Sequence, residues 1–145
     1  MEKEAKKIFI IEDDADITYG LESQFEAADF EVEVATGDEE IEELMETIRD
    51  FEPDYIILDL ILPKVDGFDI IKKIKEDGEL NDKEIFIFTD LSDEDGRARS
   101  LEIGADYVFF KEEFDTFEFA EKVKKIIANQ EKVSSREDDE EEGGE

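Results

Sequence analysis

The sequence predicts an α/β fold of the doubly wound kind, with a central five-stranded parallel sheet between two layers of helices. Five short apolar runs alternate along the chain with five helical patterns. Such alternation is typical of a parallel sheet that is covered by helices on both faces. A chain of 145 residues has the length of one ordinary domain.

Four of the predicted strands are short runs of aliphatic, β-branched and aromatic residues, interrupted only by Asp59, which suit strands buried on both faces of a sheet. They cover residues 8–11, 55–60, 85–88 and 107–110. Residues 30–34 instead alternate apolar and acidic side chains. This alternation predicts a half-exposed strand at an edge of the sheet.

Four helices are predicted from apolar residues that recur every three or four positions, within residues 17–28, 41–48, 70–74 and 119–127. Asp115 and Glu118 form a variant capping box that begins the last of these helices. Residues 92–103 are the weakest helix candidate, because they include Gly96 and only three apolar residues. Five β-α units within about 128 residues predict a flavodoxin-like (βα)5 fold.

The predicted domain covers residues 1–128, and residues 129–145 are predicted to form a disordered acidic tail. This tail contains eight acidic and two basic residues, and no apolar residue follows Val133. Segments of such composition bury too little apolar surface to offset the entropy lost on folding.

The composition excludes several classes of function. Acidic residues outnumber basic ones by 47 to 17, giving a formal charge of −30, so nucleic acid is not an expected partner. The chain has no Cys and no His, which excludes thiol and imidazole catalysis and leaves oxygen atoms as the expected metal ligands. No apolar run approaches the roughly 18 residues of a membrane span, so the expected location is the cytoplasm.

Polar residues stand at the carboxyl ends of four predicted strands, where ligands bind in sheets of this kind. They are Glu12, Asp13 and Asp14 after the first strand, Asp59 in the third, Thr89 after the fourth and Lys111 after the fifth. Taken singly, most of them would be loop, capping or surface residues. Asp59 is different, because it lies in an apolar run where an unpaired carboxylate costs several kcal/mol.

These side chains together suit phosphoryl transfer to a carboxylate. Clustered carboxylates bind Mg²⁺, which joins them to phosphate oxygens. An Asp carboxylate is a nucleophile toward phosphorus, and the transferred group needs its equatorial oxygens neutralised. Mg²⁺, the Lys111 ammonium and the Thr89 hydroxyl are suited to that neutralisation, which makes Asp59 the predicted acceptor.

The motifs around these residues resemble those of response regulator receiver domains of the CheY-like type, over residues 6–128. Residues 8–14, Ile-Phe-Ile-Ile-Glu-Asp-Asp, are similar to the first strand and acidic pair of the family. Residues 58–67, Leu-Asp-Leu-Ile-Leu-Pro-Lys-Val-Asp-Gly, resemble its phosphorylation-site motif. Thr89 and Lys111 follow Asp59 by 30 and 52 residues, close to the usual spacing in the family.

The resemblance implies a role for each site residue. Asp59 is the expected phosphoacceptor, Lys111 is expected to bridge it to the phosphoryl group, and Thr89 is expected to move its hydroxyl to a phosphoryl oxygen. Asp13 is the expected direct ligand of the metal. The full set of implied ligands of Mg²⁺, or alternatively Mn²⁺, is Glu12 (mainly through water), Asp13, Asp59 and the backbone carbonyl of Ile61.

A stand-alone receiver is expected, because no effector domain follows in the sequence. The resemblance implies a signalling phosphoacceptor and not a turnover enzyme. The expected donor is a sensor histidine kinase or a phosphotransfer protein. The expected output surface is formed by the fourth helix, fifth strand and fifth helix, and serves a protein target or a further phosphorelay step. The receiver is expected to be a monomer or a phosphorylation-dependent dimer.

Two alternatives remain open. One is a protein-binding module of the same fold that does not use phosphorylation. The other is a phosphatase with an Asp nucleophile, which is disfavoured because such enzymes usually have a second acid where this chain has Ile61.

Three positions depart from the family pattern. Asp90 stands where a small residue usually follows the Thr, Glu112 stands where Pro usually follows the Lys, and Val108 replaces an aromatic residue. A carboxylate at position 90 is expected either to repel phosphodonors or to point into solvent. Loss of the Pro is expected to loosen the loop that places Lys111.

Overall fold

The computed structural model describes residues 4–143 of the chain, and the side chains of residues 4–133. Strands and helices alternate in the order β1 (Lys7–Ile11), α1 (Ala15–Ala27), β2 (Glu31–Ala35), α2 (Ile41–Phe51), β3 (Tyr55–Leu58), α3 (Gly67–Glu76), β4 (Glu84–Thr89), α4 (Glu94–Ile103), β5 (Tyr107–Phe110) and α5 (Thr116–Gly143). Every predicted strand and helix is present, including the weak candidate that becomes α4.

The strands form one parallel sheet in the order β2-β1-β3-β4-β5. β1 pairs with β2 on one side and with β3 on the other. The chain therefore reverses its direction of winding between β1 and β3, and the carboxyl ends of these two strands flank the crevice where such sheets bind ligands. The predicted flavodoxin-like topology is confirmed, and β2 lies at an edge as its alternating pattern predicts.

Two apolar layers cover the faces of the sheet. One layer packs α1 and α5 against the sheet, and the ring of Phe119 stacks on Phe88 with centroids 4.1 Å apart. The other layer packs α2 and α3 against the opposite face, with Leu44, Ile48 and Ile71 fully buried. Each large apolar side chain buried in this way contributes about 1.5–3 kcal/mol, so the sheet that carries the crevice is rigidly held.

Acidic residues cap several of the helices. Asp14, Asp66 and Asp93 accept backbone N–H groups at the beginnings of α1, α3 and α4. At the beginning of α5 the backbone N–H of Asp115 donates to Glu118 at 2.9 Å, and the N–H of Glu118 donates to Asp115 at 2.8 Å. The predicted capping box is therefore formed.

The last helix differs from the expectation for residues 129–145. The expected domain boundary at residue 128 lies inside α5, which continues to Gly143, so residues 129–143 are helical where the sequence predicts disorder. Gln130 donates hydrogen bonds to Glu84 at 3.0 Å and to the hydroxyl of Tyr107 at 3.4 Å. These bonds hold the helix beyond the expected boundary. Several of the residues that follow are Glu, which is a good helix former. Residues 144–145 lie outside the described residues.

Among residues 4–143, no helix is both long enough and apolar enough to cross a bilayer.

Candidate functional site

An acidic cleft opens at the carboxyl end of the sheet. It has a volume of about 570 Å³ and is lined by Glu12, Asp13, Asp14, Ala15, Asp16, Asp59, Ile61, Asp90 and Lys111. Six of these nine residues are acidic and one is basic. The cleft therefore collects the predicted residues that follow β1, β3 and β5, at the crevice where the winding reverses.

Asp59 follows β3 directly and is only 4% exposed. Its backbone N–H donates to the carbonyl of Ile11 on β1 at 3.0 Å, which fixes the residue to the sheet. Its Oδ1 accepts a hydrogen bond from the N–H of Ile61 at 3.1 Å, and its Oδ2 accepts one from Lys111 Nζ at 2.9 Å. These bonds explain how a carboxylate is tolerated at the end of a buried strand.

Lys111 joins two buried carboxylates. Its Nζ lies 2.9 Å from Glu12 Oε1 and 2.9 Å from Asp59 Oδ2, and its backbone N–H donates to the carbonyl of Thr89 at 2.8 Å. Burial lowers the pKa of Lys111, but the hydrogen bonds to Asp59 and Glu12 outweigh burial, so this pKa lies above its ordinary value. The side chain is therefore a fixed positive charge in the cleft.

Glu12 has a strongly raised pKa. The residue is 2% exposed, and burial raises its pKa to about 7, against the opposing hydrogen bond from Lys111. The negative charge of Asp59 raises the pKa further. Because the ionised form of Glu12 is disfavoured near neutral pH, a cation bound nearby would stabilise it.

Glu12, Asp13 and Asp59 form a group of carboxylates suited to a divalent cation. Each offers an oxygen atom, and the three atoms lie within 4.8 Å of one another. Three carboxylates face the single ammonium of Lys111, which leaves an excess of negative charge that a divalent cation balances. Hard oxygen donors fit Mg²⁺ or Mn²⁺.

Thr89 is the predicted site residue that does not line the cleft. It is fully buried at the end of β4, and its Oγ1 accepts a hydrogen bond from the N–H of Leu91 at 3.2 Å. Its Cα is paired with that of Phe110, the residue before Lys111. The hydroxyl is therefore next to the site but bound to the loop that leads into α4.

The loop after Asp59 depends on a glycine. The N–H of Gly67 donates to the carbonyl of Leu60 at 3.1 Å. A Cβ atom at position 67 would overlap the backbone of Leu60 and lie 2.9 Å from the carbonyl oxygen of Asp59. Each residue of the Asp-Gly pair at the end of the predicted phosphorylation motif therefore has a structural role. Asp66 caps α3, and Gly67 allows the helix to pack closely against the end of β3.

The turn after Lys111 is hydrogen-bonded without a proline. The N–H groups of Glu113 and Phe114 both donate to the carbonyl of Phe110, at 3.0 and 3.2 Å. The loosening expected from Glu112 stays a prediction. Val108 is buried in the layer that contains α2 and α3, where it replaces the aromatic residue usual in the family.

Asp16 also lines the cleft, although it is not among the site residues predicted from the sequence. It lies in the first turn of α1, and its N–H donates to the carboxylate of Asp14 at 2.9 Å. Asp14 also accepts the N–H of Ile17 at 3.1 Å, so of the loop and capping roles open to it in the sequence, it has the capping role. Asp16 lies two residues after the N-cap Asp14, in the first turn of α1. This position next to the predicted site is the sequence signal that could have identified Asp16 as a residue of the cleft.

The fold and the cleft define an α/β signalling domain of the receiver class. The chain belongs to the response regulator receiver domain family, whose model matches residues 8–124. Members of this family are receiver domains of two-component systems, in which the domain is a signalling phosphoacceptor and not a turnover enzyme.

Relatives and solved structures agree with this membership. The chain is 30% identical over 135 residues to the "Probable transcriptional regulator ycf27" of Porphyridium aerugineum, covering 93% of this chain and 52% of the relative. The chain therefore spans about half the length of this curated relative. The fold is shared with a CheY-like receiver domain protein of Methanospirillum hungatei, at a TM-score of 0.74 and 24% identity, covering 89% and 98% of the two chains. It is shared also with the Mn(2+)-bound response regulator Rcp1, at a TM-score of 0.71 and 22% identity, covering 81% and 91%.

Proposed function

We propose that Asp59 accepts a phosphoryl group from a sensor histidine kinase or a phosphotransfer protein in the cytoplasm, with a divalent cation bound beside it. The contact of Lys111 Nζ with both Asp59 and Glu12, at 2.9 Å each, carries the proposal. This ammonium holds the acceptor carboxylate at the wall of an open cleft. Asp59 is thus held in place by neighbouring groups and is also reachable from solvent.

Asp59 supplies the nucleophile. One of its carboxylate oxygens attacks phosphorus, the new O–P bond forms as the P–N bond of phosphohistidine breaks, and the electron pair stays on the imidazole nitrogen. Lys111 pairs with an oxygen of the transferred group. The Thr89 hydroxyl then moves from the N–H of Leu91 to another phosphoryl oxygen, which changes the loop before α4.

The proposed ligands of Mg²⁺, or of Mn²⁺, are Glu12, Asp13, Asp59 and the backbone carbonyl of Ile61. When bound, the ion neutralises oxygens of the phosphoryl group as it is transferred. Asp13 is exposed and is suited to direct ligation. Glu12 is bound to Lys111 and to the N–H of Asp14, so it is suited to act through water.

The proposed output surface is formed by α4, β5 and α5. The buried residues of α4 are Gly96 and Ser100, which means that few apolar contacts hold this helix to the sheet. Such elements have low local stability and shift readily between arrangements. Phosphorylation at Asp59 would therefore change the position of α4 and the affinity of this surface for a downstream protein or a phosphorelay partner.

The test is intact mass after incubation with phosphoramidate or acetyl phosphate, with and without Mg²⁺. We expect one phosphoryl adduct that requires Mg²⁺ and is absent from Asp59→Asn. Asp69→Asn, which changes an exposed acid on α3, is the matched control and should keep the adduct.

A phosphorylation-independent binding module is the competing function, because Asp90 adds a further carboxylate to the cleft. No adduct with either donor, together with unchanged amide signals at Thr89 and Lys111 on adding beryllium fluoride and Mg²⁺, would refute the phosphoacceptor and favour the binding module.

A further inference from the structure

Asp90 lines the cleft, but its carboxylate does not take part in an ion pair or a helix cap as other acids of the cleft do. Glu12 and Asp59 are paired with Lys111, Asp14 caps α1, and Asp13 belongs to the group suited to a cation. Among residues 4–133, whose side chains are described, the carboxylate of Asp90 makes no hydrogen bond and no ion pair. It is exposed, whereas its neighbour Thr89 is fully buried.

The topology places Asp90 on the side of Asp59 away from the other acids. Asp13 and Asp14 follow β1, Asp59 follows β3 and Asp90 follows β4, and β3 lies between β1 and β4 in the sheet. An incoming phosphodonor therefore meets carboxylates on both walls of the cleft. The single basic residue of the lining, Lys111, is already bonded to two of these carboxylates.

We propose that Asp90 is a specificity residue that disfavours small, doubly charged phosphodonors, so that a phosphohistidine on a protein is the effective donor. This inference rests on the proposed phosphorylation of Asp59. A small acyl phosphate gains little binding energy outside the cleft and feels the full repulsion of the Asp90 carboxylate. A protein donor offsets the same repulsion with contacts made far from the reacting atoms.

The reaction used as a probe is phosphoryl transfer from acetyl phosphate. The O–P bond of the donor breaks, an O–P bond to a carboxylate oxygen of Asp59 forms, and acetate leaves with the electron pair. Phosphoramidate is the comparison donor, because it carries less negative charge at pH 7 and has a P–N bond like phosphohistidine. The measured quantity is the ratio of the second-order rate constants for the two donors at saturating Mg²⁺.

We expect Asp90→Asn to raise the rate constant for acetyl phosphate about fivefold at low ionic strength, because a carboxylate near the reacting atoms repels a doubly charged donor strongly. The rate constant for phosphoramidate should rise less, about twofold, because of its smaller charge. Raising the ionic strength to about 1 M should remove most of the difference between Asp90→Asn and wild type, since the Debye length falls to about 3 Å.

Asp95→Asn is the matched control, because Asp95 is an exposed acid in the first turn of α4 that does not line the cleft. It should leave both rate constants within about 1.5-fold of wild type, as expected for a distant screened charge. An equal increase in Asp95→Asn and Asp90→Asn would overturn the inference, since it would show an effect of net charge alone.

Two other results would also overturn it. One is that Asp90→Asn leaves the ratio of the rate constants for acetyl phosphate and phosphoramidate unchanged. The other is a loss of Mg²⁺ affinity, measured by calorimetry, of about tenfold in Asp90→Asn, the size typical for a metal ligand or its supporting group. If no variant is phosphorylated by either donor and beryllium fluoride with Mg²⁺ also leaves the amide signals of Thr89 and Lys111 unchanged, the proposed function fails as well. An adduct in wild type with an unchanged ratio rejects Asp90 alone.

Discussion

Lys111 Nζ contacts Glu12 and Asp59 at 2.9 Å each, in a cleft whose other charged residues are all acidic. Two consequences follow for single residues. Removing the ammonium leaves two buried carboxylates without a counter-charge, and the raised pKa of Glu12 links folding stability to pH.

Lys111→Met should lower the free energy of unfolding by about 3 kcal/mol at pH 8 without divalent cations, the usual size for a broken buried ion pair. Urea denaturation measured in EDTA is suitable. Lys64→Met is the control, because the Lys64–Glu40 pair is exposed on both sides and such pairs contribute less than about 1 kcal/mol. Equal losses in the two variants would contradict the electrostatic role of Lys111.

The pKa of Glu12 predicts a pH dependence of stability in the absence of metal. Its pKa is about 7 in the folded chain and 4.5 as a model value, so between these values the folded state binds more proton than the unfolded state. This group therefore stabilises the fold as pH falls, by about 2 kcal/mol between pH 8 and pH 5.5.

Glu12→Gln removes the titrating group and should lack this part of the pH dependence. The measurement is the difference between wild type and variant in free energy of unfolding at the two pH values, which cancels the titration of the other carboxylates. Parallel pH profiles for the two chains would show that Glu12 titrates as an ordinary surface acid.

At the scale of elements, α4 is held differently from the other helices. Its buried residues are Gly96 and Ser100, and two arginines on it lie against aromatic rings of its neighbours. The Arg97 guanidinium is 5.1 Å from the ring centroid of Phe110 on β5, and that of Arg99 is 4.0 Å from Phe68 on α3. Cation–π contacts therefore replace part of the apolar packing of this helix.

Replacing Arg97 and Arg99 together by Ala should raise the amide hydrogen exchange rates of α4 about tenfold, because each contact contributes about 0.5–1 kcal/mol. Amides of β3 and α1 should be unaffected. Glu102→Ala, at an exposed position of the same helix, is the control. Exchange in α4 that stays at the wild-type rate would show that the two arginines do not hold the helix.

At the scale of the whole molecule, negative charge is distributed unevenly. Residues 12–54, which form α1, β2 and α2, contain eighteen acidic residues and a single basic one, Arg49. This segment includes the edge strand β2 and the helices on either side of it in the chain, so a large share of the charge of a chain with a formal charge of −30 is concentrated near that edge of the sheet. Self-repulsion destabilises the compact state and is reduced by salt.

We therefore expect the free energy of unfolding to rise by on the order of 1–2 kcal/mol between 0.05 and 1 M NaCl, as the Debye length shortens to about 3 Å. Urea denaturation across this series tests the expectation. A sucrose series serves as the uncharged reference. Stability that does not change with NaCl would mean that the acidic surface is already neutralised by bound counter-ions.

The sequence by itself predicts the five β-α units, the edge position of β2, the capping box at α5 and the residues that line the cleft after β1, β3 and β5. These predictions succeed because periodicity reports burial directly. The carboxyl ends of parallel strands also lie at one edge of a sheet, so that residues far apart in the chain are brought together.

Tertiary structure alone decides the rest. It pairs Lys111 with Glu12 as well as Asp59, and it bonds Gln130 of α5 to Glu84 and Tyr107. Each of these depends on distances between side chains and on the water removed around them, and neither quantity is encoded in a local pattern. The raised pKa of Glu12 is the clearest case, because it arises mainly from burial, with Asp59 and Lys111 from two other strand ends acting on the same carboxyl group.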